Sequence, residues 1–585
     1  MTPSKTHAKT HAKSRPKHLR KGDRLVFLGD SITEQQLYSN YVETYLATRF
    51  PHLGLTFFNA GWGGDTAPGG LARLDRDVLR LKPTVVTICY GMNDGRYTAS
   101  TPEIFTTFRD GLSALVKRLK QARIRVVLLT PGIVDEAKAA HLAACHYNQS
   151  GLRPLADAVL ALAKREKLPV ADLHRLMGEV DARAKAADPG FCMIPDAFHP
   201  DPAGHLVMAH GLLTALGVPP RRERIRIPAP ARKSAKIPAV AGDGSRRITF
   251  PLAQPPFFVE TSARKVLPFL DFQQRFNAIT LSLPGITQAM EISADGGRRS
   301  LPIPAAAFAA GIDLAELWFS APVQQASDAL RYTTDKDRIY YNGWRVVALR
   351  GANGPFHHPR AHAAAITYSE RLDRCRLIAG AQTFTVDLAP ADTRALPVAN
   401  GEFITDWRMM GTLPKPWTTD ALGGEAAFTA AARPLGPGWF SCVVDAAKLP
   451  DCLNRCFGPS QDCFAYALAV LDSPREQSAE LLVGSDDGYA LWLNGQTLAT
   501  RLDLARGCQP DQERIPVTLR HGRNVLLMKI TQGGGQWGFC LRFAGLAHDL
   551  LLMPVLSESL SSSSASSSAS SSPSSSSDSS LKAAP

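Results

Sequence analysis

The residues of this 585-residue chain that could perform chemistry together are a serine and an aspartate–histidine pair. Ser31 stands in the sequence GDSIT directly after an apolar run. Taken alone, a serine at this position more often caps a helix. Its hydroxyl becomes a nucleophile only when a base lies beside it. Asp196 and His199 stand in the sequence DAFHP, where Pro200 disfavours helix at His199 and predicts a loop. In a tight loop this carboxylate can hydrogen-bond the imidazole, an arrangement that suits acyl transfer.

Two further motifs could supply hydrogen-bond donors to a developing oxyanion. The sequence NAGWGGDT at residues 59–66 places glycines at a strand end, where a backbone N–H can approach a substrate oxygen. The sequence GMND at residues 91–94 follows the next strand, and the side-chain amide of Asn93 can point into the same crevice. Each motif alone indicates an ordinary turn. The joint occurrence of all the motifs, in this order, carries the interpretation.

The motifs lie at the ends of elements that would position them. Between the strands lie helical stretches at Pro102–Gln121 and His141–Lys167, the first with one apolar stripe. This alternation predicts a three-layer α/β/α domain with a parallel sheet over residues 24–218, and ligands bind such sheets at the carboxyl ends of the strands. The apolar runs that predict buried parallel strands are Leu25–Leu28, Leu55–Phe58, Thr84–Tyr90, Ile124–Thr130 and Pro169–Leu173.

The set GDS, a glycine-rich second block, GxND and DxxH resembles the four blocks of the SGNH (GDSL-like) hydrolase superfamily, over about residues 24–216. The chain has GDSI where the family name has GDSL. The resemblance implies a flavodoxin-like α/β fold with Ser31 as nucleophile and Asp196 and His199 as its triad partners. It also implies an oxyanion hole made by Ser31, Gly64 and Asn93, with Gly61 the less favoured glycine. We interpret His205 as a structural residue of the following helix.

The function that the resemblance implies is serine acyl-ester hydrolysis without a cofactor, acting on an ester substrate such as an O-acetylated carbohydrate. The alternative is a non-catalytic glycan-binding protein on an SGNH scaffold, which hydrolysis of p-nitrophenyl acetate would distinguish. The α/β-hydrolases share the order Ser…Asp…His, but they carry the G-x-S-x-G motif, which is nowhere in this sequence.

The C-terminal half has a strand-rich pattern. Residues 240–400 predict a β-rich accessory region interrupted by a helical piece near Gln324–Arg331, and residues 401–548 predict a β-sandwich with a hairpin turn at Asn494-Gly495. The stretch GSDDGYALWLNG at residues 484–495 faintly resembles PA14-like carbohydrate-binding domains, some of which hold calcium with an aspartate pair. A solvated turn is the favoured interpretation of Asp486 and Asp487, and a calcium site the less favoured one.

The formal net charge of +13 is confined to two segments. Residues 1–23 predict a disordered basic tail, and residues 219–239 a basic, proline-rich linker. Because the remainder is close to neutral, a nucleic-acid partner is disfavoured. Residues 549–585 predict a serine-rich disordered tail, and no apolar run reaches the length of a membrane span.

The compartment is indicated by conflicting features. The N-terminus as written is basic without an apolar segment and predicts a cytoplasmic protein, whereas accessory sandwiches suit secreted or periplasmic proteins, which a misassigned start would allow. The ten cysteines include a predicted buried thiol at Cys89. The spacing of the later cysteines does not match a zinc ribbon and predicts buried or loop thiols, with disulfides if the protein is exported.

Overall fold

The structure is a computed structural model. It describes residues 15–227, 245–252, 255–294, 299–317, 320–348, 358–375, 382–390, 395–422, 424–431, 439–443, 451–457 and 460–554. Most of the basic tail, of the proline-rich linker and of the serine-rich tail lies outside these residues. Within them, no helix combines the length and the apolar character needed to cross a membrane.

The first part of the described chain contains a parallel sheet in the order β2-β1-β3-β4-β5, as the strand pattern predicts. In the register, Gly29 pairs with both Gly61 and Cys89, so three strands end at the same level. The loops that carry the first three motifs therefore leave the sheet side by side. The strands are Arg24–Gly29 (β1), Thr56–Gly61 (β2), Val85–Cys89 (β3), Arg125–Leu129 (β4) and Val170–Ala171 (β5).

Helices cover both faces of this sheet and complete the predicted three layers. Leu25 and Phe27 of β1 face one core, and Val26 and Leu28 face the other, because successive side chains of a strand point to opposite faces. The helices of this part are Ser31–Glu34 (α1), Leu37–Arg49 (α2), Ala67–Ala72 (α3), Leu74–Asp77 (α4), Pro102–Gln121 (α5), Ala140–Cys145 (α6), Arg153–Glu166 (α7), Leu173–Ala187 (α8) and Pro202–Ala215 (α9).

The structure agrees with one predicted helix and divides the other. Helix α5 has the predicted bounds, and the Thr101 side chain caps it by accepting a hydrogen bond from the Ile104 N–H. The stretch His141–Lys167 is not one helix, because His146 has a left-handed backbone (φ 50°) and a π-helical turn follows at Asn148–Leu152. This irregular turn allows the Tyr147 hydroxyl to donate to the Met92 carbonyl, 3.0 Å away.

Segments that the sequence predicts to lie in both tails and in the linker are ordered against the rest of the chain. In the predicted serine-rich tail, Leu550–Leu552 is a strand that pairs with two others. Leu19 is buried, and the Lys17 N–H donates to the Gly217 carbonyl. Residues Arg222–Arg226 (β6) form a strand parallel to Ala278–Ser282 (β8). Because a basic segment is held here by backbone pairing, composition alone did not reveal it.

The later part of the chain is dominated by antiparallel sheets. Among the described residues, the largest has twelve strands and takes them from both sides of residue 400, so the division proposed there is not a break in strand pairing. The Asn494-Gly495 turn joins β18 to β19, as predicted. The further strands are Arg246–Leu252 (β7), Met290–Ser293 (β9), Ser300–Ile303 (β10), Ile312–Asp313 (β11), Gln382–Pro390 (β12), Leu396–Val398 (β13), Asp406–Pro414 (β14), Phe440–Val443 (β15), Cys463–Ser473 (β16), Gln477–Ser485 (β17), Tyr489–Leu493 (β18), Gln496–Arg501 (β19), Glu513–Leu519 (β20), Gly522–Gln532 (β21), Phe539–Ala544 (β22) and Leu550–Leu552 (β23).

Helices within this part extend well beyond the predicted helical piece near Gln324–Arg331. They are Ala305–Ala310 (α10), Ala321–Tyr341 (α11), Pro359–Cys375 (α12), Glu425–Ala431 (α13) and Cys452–Phe457 (α14). Helices α11 and α12 pack beside β2, the edge strand of the parallel sheet. We call them the helix pair, together with the π-helical segment Asn342–Ala348 that continues α11. Lys336 Nζ lies 2.6 Å from Glu43 Oε1 of α2 and 3.2 Å from Asp373 Oδ1 of α12, and the Lys336 side chain is fully buried.

The cysteines are mostly thiols in the described residues. Cys442 and Cys456 form a disulfide. Cys89 is a buried thiol, as its apolar strand predicts, and burial raises its pKa.

Candidate active site

The first residue of α1 is Ser31, which is separated from β1 by the single residue Asp30. A Cβ atom at Gly29 would overlap the Thr33 side chain and the Cys89 carbonyl, so only glycine fits at this strand end. The Asp30 carboxylate caps the helix by accepting a hydrogen bond from the Ile32 N–H at 3.0 Å. Ile32 is buried, which explains why the position after the serine tolerates isoleucine in place of leucine.

The predicted serine, histidine and aspartate form one hydrogen-bonded chain. Ser31 Oγ lies 2.9 Å from His199 Nε2, and His199 Nδ1 lies 2.7 Å from Asp196 Oδ2. The other carboxylate oxygen of Asp196 accepts hydrogen bonds from the backbone N–H groups of Phe198 and His199. Ala197 has a left-handed backbone (φ 77°), which bends the segment into the tight loop that the proline predicts.

The hydrogen bonds of this chain fix which ring nitrogen of a neutral His199 imidazole carries the proton. Burial alone would raise the pKa of Asp196, but the hydrogen bonds from His199 and Phe198 outweigh it and hold this pKa below its usual range. An ionised carboxylate only accepts hydrogen bonds, so His199 Nδ1 carries the proton. His199 Nε2 is then the acceptor that faces the Ser31 hydroxyl.

The two candidate glycines of the second motif have different surroundings. A Cβ atom at Gly61 would overlap the backbone of Glu34, so close packing of β2 against α1 explains that glycine. Gly64 is exposed, has a left-handed backbone (φ 74°) and has open space where a Cβ would lie. Its position in the turn closed by the Asp65 N–H and the Trp62 carbonyl leaves it accessible to a ligand.

In the third motif, both the nitrogen and the oxygen of the asparagine side-chain amide are hydrogen-bonded. Asn93 Nδ2 donates to the Asp65 carbonyl at 3.0 Å, and Asn93 Oδ1 accepts from the Tyr97 hydroxyl at 2.8 Å. The carboxylate of Asp94 accepts from the backbone N–H groups of Ala67 and Gly91, which links this motif to the start of α3. The second and third motifs are therefore tied to each other.

Buried acids beside the nucleophile were not anticipated from the sequence. Burial, followed by the charges of Asp94 and Asp65, raises the pKa of Asp30 to about 7. Burial also raises the pKa of Asp94 to about 6. The remaining acid, Asp65, is paired with Arg73 at 2.8 Å and accepts from the Tyr90 hydroxyl. The signal available in the sequence was that Asp30 and Asp94 stand directly beside the motif residues Ser31 and Asn93.

His205 has the surroundings of a structural histidine, as the sequence interpretation expected. Its Nδ1 accepts from the Tyr38 N–H, and its Nε2 lies 2.9 Å from Gln35 Oε1. Burial, and next the charge of His199, lowers the pKa of His205 to about 3, so its ring is neutral.

Residues of the helix pair reach the rim of this site. Glu34, at the end of α1, accepts hydrogen bonds from the Tyr341 hydroxyl at 3.0 Å and from Arg345 Nε at 3.2 Å. The Arg345 guanidinium also lies 3.3 Å from the centre of the Trp62 ring. These residues lie far outside the predicted domain 24–218, and only the interrupted β pattern near Gln324 hinted at them.

Asp486 and Asp487 of the C-terminal hairpin were interpreted as a solvated turn or, less favoured, as a calcium site, and both interpretations remain. Asp487 Oδ2 accepts a hydrogen bond from the Gly533 N–H at 2.6 Å, as a structural turn would require. Burial, followed by the charge of Asp487, raises the pKa of Asp486 to about 6. Across the part of the chain that the structure describes, no three His, Cys, Asp or Glu side chains are grouped to hold a metal ion. Calcium binding by this pair therefore lacks a third protein carboxylate there and stays a prediction.

Comparisons with known proteins identify similarities in sequence and in fold. Residues 27–207 match the model of the GDSL-like lipase/acylhydrolase family. An acetylxylan esterase from Geobacillus stearothermophilus is 26% identical over 221 residues, which cover 34% of this chain and 94% of that protein. The solved structure of a gut microbial diltiazem-metabolizing enzyme superposes with a TM-score of 0.54 at 20% identity, over 64% of this chain and 98% of that one. The last similarity concerns the fold alone.

Proposed function

We propose that this ester-bond hydrolase, whose residues 27–207 match the GDSL-like lipase/acylhydrolase family, removes acyl groups from carbohydrates through Ser31, His199 and Asp196. The observation that carries the proposal is the hydrogen-bonded chain Ser31 Oγ–His199 Nε2 and His199 Nδ1–Asp196 Oδ2, at 2.9 Å and 2.7 Å. This is the arrangement in which a histidine activates a serine.

In the proposed acylation step, His199 Nε2 takes the proton of the Ser31 hydroxyl while Oγ attacks the acyl carbon. The negative oxygen of the tetrahedral intermediate receives hydrogen bonds from the backbone N–H groups of Ser31 and Gly64 and from Asn93 Nδ2. His199 then gives its proton to the departing sugar oxygen. Asp196, ionised at neutral pH, stabilises the imidazolium while it exists.

Deacylation repeats the same proton movements with water in place of the sugar. His199 removes a proton from the water, the resulting oxygen attacks the acyl-serine, and the proton returns to Ser31 Oγ as the acid leaves. Every group that donates or accepts a proton in this scheme belongs to the chain, the ester or water.

The substrate part of the proposal has separate support. The acetylxylan esterase relative aligns over 94% of its own length, and its name places it on an acetylated polysaccharide. Gly64 is exposed and has open space where a Cβ would lie, so a bulky alcohol such as a sugar would meet no obstacle from this residue. Removal of a small acyl group from a carbohydrate is the reaction that combines these observations.

The direct test compares Ser31→Ala with Ser113→Ala, a matched change on α5 away from the site. We expect the first variant to lower kcat for p-nitrophenyl acetate by about 10³–10⁶-fold and the second to leave kcat unchanged. Acetate release from acetylated xylan and acetylated oligosaccharides should follow the same pattern. Retained activity in a folded Ser31→Ala variant would reject the nucleophile.

Two other outcomes would revise the function. Hydrolysis of p-nitrophenyl acetate without acetate release from any acetylated carbohydrate would leave the esterase and remove the proposed substrate class. Polysaccharide binding by a folded wild-type protein that hydrolyses neither ester would instead support the glycan-binding alternative.

A further inference from the structure

The hydroxyl of Tyr97 contacts the oxygen end of the Asn93 side-chain amide. It lies 2.8 Å from Asn93 Oδ1 and can only act there as the donor, because an amide oxygen only accepts. The Asp65 carbonyl occupies one N–H of Asn93 Nδ2. With the oxygen and one N–H held, a single amide N–H is left to turn toward a substrate oxygen.

The orientation of this amide matters because the oxygen and nitrogen of an asparagine side chain have nearly the same shape. An amide rotated by half a turn would present its oxygen to the developing oxyanion, where it would repel instead of donating. The Asp65 carbonyl favours the correct orientation from one side. The Tyr97 hydroxyl holds the oxygen end from the other side by donating to Asn93 Oδ1. A rotated amide would lose this donation and would set its oxygen against the Asp65 carbonyl.

We propose, on the basis of the function proposed above, that Tyr97 is a positioning residue for this esterase: its hydroxyl locks the Asn93 amide in the orientation that donates to the oxyanion. Tyr97 does not touch the reacting atoms in this scheme. Its effect on the reaction passes through Asn93.

The backbone around Tyr97 supports this role. Arg96 and Tyr97 both have left-handed backbones, with φ values of 53° and 55°. Non-glycine residues avoid this region at some energetic cost, and such strain concentrates at functional sites. Hydrogen bonds from the Gly95 N–H to the Gly91 carbonyl and from the Arg96 N–H to the Asn93 carbonyl close the turn. The turn returns the Tyr97 ring to Asn93, four residues earlier.

The ring of Tyr97 is also held against the loop of the catalytic histidine. It contacts Phe198 edge to face, with 4.9 Å between ring centres, and Phe198 lies between Asp196 and His199. On its other side it packs against Tyr147 at 5.8 Å. Burial, followed by the charges of Asp30 and Asp196, raises the pKa of Tyr97 to about 12, so the hydroxyl keeps its proton at neutral pH. The donor is therefore both fixed in place and always protonated.

Tyr147 provides a matched control for this tyrosine. It belongs to the same aromatic cluster and is more deeply buried, but its hydroxyl donates to the Met92 backbone carbonyl and not to the amide of Asn93. Tyr→Phe changes at the two positions remove the same atom from neighbouring rings. Only the change at position 97 releases the Asn93 side chain.

The experiment measures kcat and KM for p-nitrophenyl acetate in Tyr97→Phe, Tyr147→Phe, Asn93→Ala and the Tyr97→Phe/Asn93→Ala double variant. We expect Tyr97→Phe to lower kcat by about 10-fold with KM changed less than about twofold, since full loss of an oxyanion donor costs about 10²–10³-fold. Tyr147→Phe should keep the wild-type kcat. In the Asn93→Ala background, Tyr97→Phe should lower kcat by less than about twofold, because coupled residues are non-additive.

Several results would overturn the inference. A wild-type kcat in Tyr97→Phe would remove it, as would a rise in KM alone, which would make Tyr97 a ground-state binding residue. Effects of Tyr97→Phe and Asn93→Ala that multiply would show that the tyrosine acts independently of the asparagine. Thermal unfolding midpoints of all four variants identify any loss that comes from unfolding. Activity retained by Ser31→Ala would instead reject the proposed function, so the two failures are distinguishable.

Discussion

The helix pair and the strands that flank it in the sequence belong to different cores. Tyr340 and Trp344 pack with Val26 and Phe58 of the parallel sheet, and Ile366 of α12 borders the same core. The strands from β7 to β23, which we call the β layer, share a separate core of their own. One stretch of chain therefore contributes helices to the catalytic unit and strands to the β layer. Neighbourhood in sequence did not decide to which unit an element belongs.

The helix pair packs with the parallel sheet, unlike the strands that flank it in the sequence, because it covers the edge strand β2. An edge strand leaves backbone N–H and C=O groups without a neighbouring strand, and proteins cover such edges with helices or charges. Here the Phe57 N–H donates to Asp373 Oδ2 at 3.3 Å, and Lys336 Nζ lies 3.4 Å from the Phe57 carbonyl. The helix pair thus supplies a buried anion and a buried cation to the edge of the sheet. The helix pair therefore covers the exposed edge of the catalytic sheet.

Removing the buried cation should have the largest effect. In Lys336→Met, Glu43 and Asp373 lose this partner inside the protein, and breaking a buried ion pair costs about 3–5 kcal/mol of unfolding free energy. We expect the thermal midpoint of esterase inactivation to fall together with that of the helical signal. Arg338→Met, which removes an exposed pair with Asp335 on the same helix, should change both by little. If esterase activity in Lys336→Met were lost at the same temperature as in the wild type, the helix pair would belong to the β layer and not to the catalytic unit.

A buried acid in the catalytic unit should show the next largest effect, as a pH dependence. The pKa of Asp30 is raised from 3.8 to about 7, so the folded protein keeps a proton that the unfolded chain releases between about pH 4 and pH 7. The stability contributed by this proton is present at low pH and is lost as the pH rises through that window.

Asp30→Asn imitates the protonated carboxyl at every pH. It should leave the unfolding free energy near its wild-type value at pH 4 and raise it at pH 8, by up to about 4 kcal/mol. Denaturant unfolding at both pH values measures this difference. Asp157→Asn, on the exposed surface of α7, controls for the loss of one carboxylate. Equal effects of Asp30→Asn at both pH values would contradict the buried-proton interpretation.

The contact between the helix pair and the active-site rim predicts a smaller, kinetic effect. Arg345→Met removes the hydrogen bond to Glu34 and the stacking on Trp62, both within a few residues of Ser31 or Gly64. We expect kcat for p-nitrophenyl acetate to fall by about 2–10-fold, well below the roughly 10²-fold cost of a 1 Å misplacement. Arg331→Met on the outer face of α11 should have no effect. Equal kinetics of the two variants would remove the helix pair from the active-site rim.

The smallest effect on catalysis is expected from the β layer. The double change Cys442→Ala/Cys456→Ala opens a disulfide that spans 14 residues, which stabilises a protein by about 3 kcal/mol. We expect the unfolding of the β layer to shift to lower temperature, while kcat at 25 °C stays unchanged. A matching loss of esterase activity would show that the β layer also supports the catalytic site.

Local features of the sequence were sufficient for the residues that we place at the active site. Alternating strands and helices, the glycine after β1 and the proline after His199 each act over a few residues, so they predict which loops meet at the sheet edge. The structure brings Ser31, His199 and Asp196 into hydrogen-bond contact, as those loops require. Helix α5 was predicted with its bounds for the same reason, since its period and its cap are local.

Tertiary structure decided what covers and orients that site. In the sequence, Lys336 and Asp373 have the appearance of ordinary surface charges on amphipathic helices, and only packing beside β2 buries them. In the sequence, Tyr97 is indistinguishable from other aromatic residues of loops. The left-handed backbones of two residues bring its hydroxyl to Asn93. The sequence by itself therefore determined which residues we propose as the reacting groups, because turn chemistry and periodicity are local. Their support was decided only by folding, because it depends on contacts between residues that are hundreds of positions apart or on backbone angles that no residue type dictates.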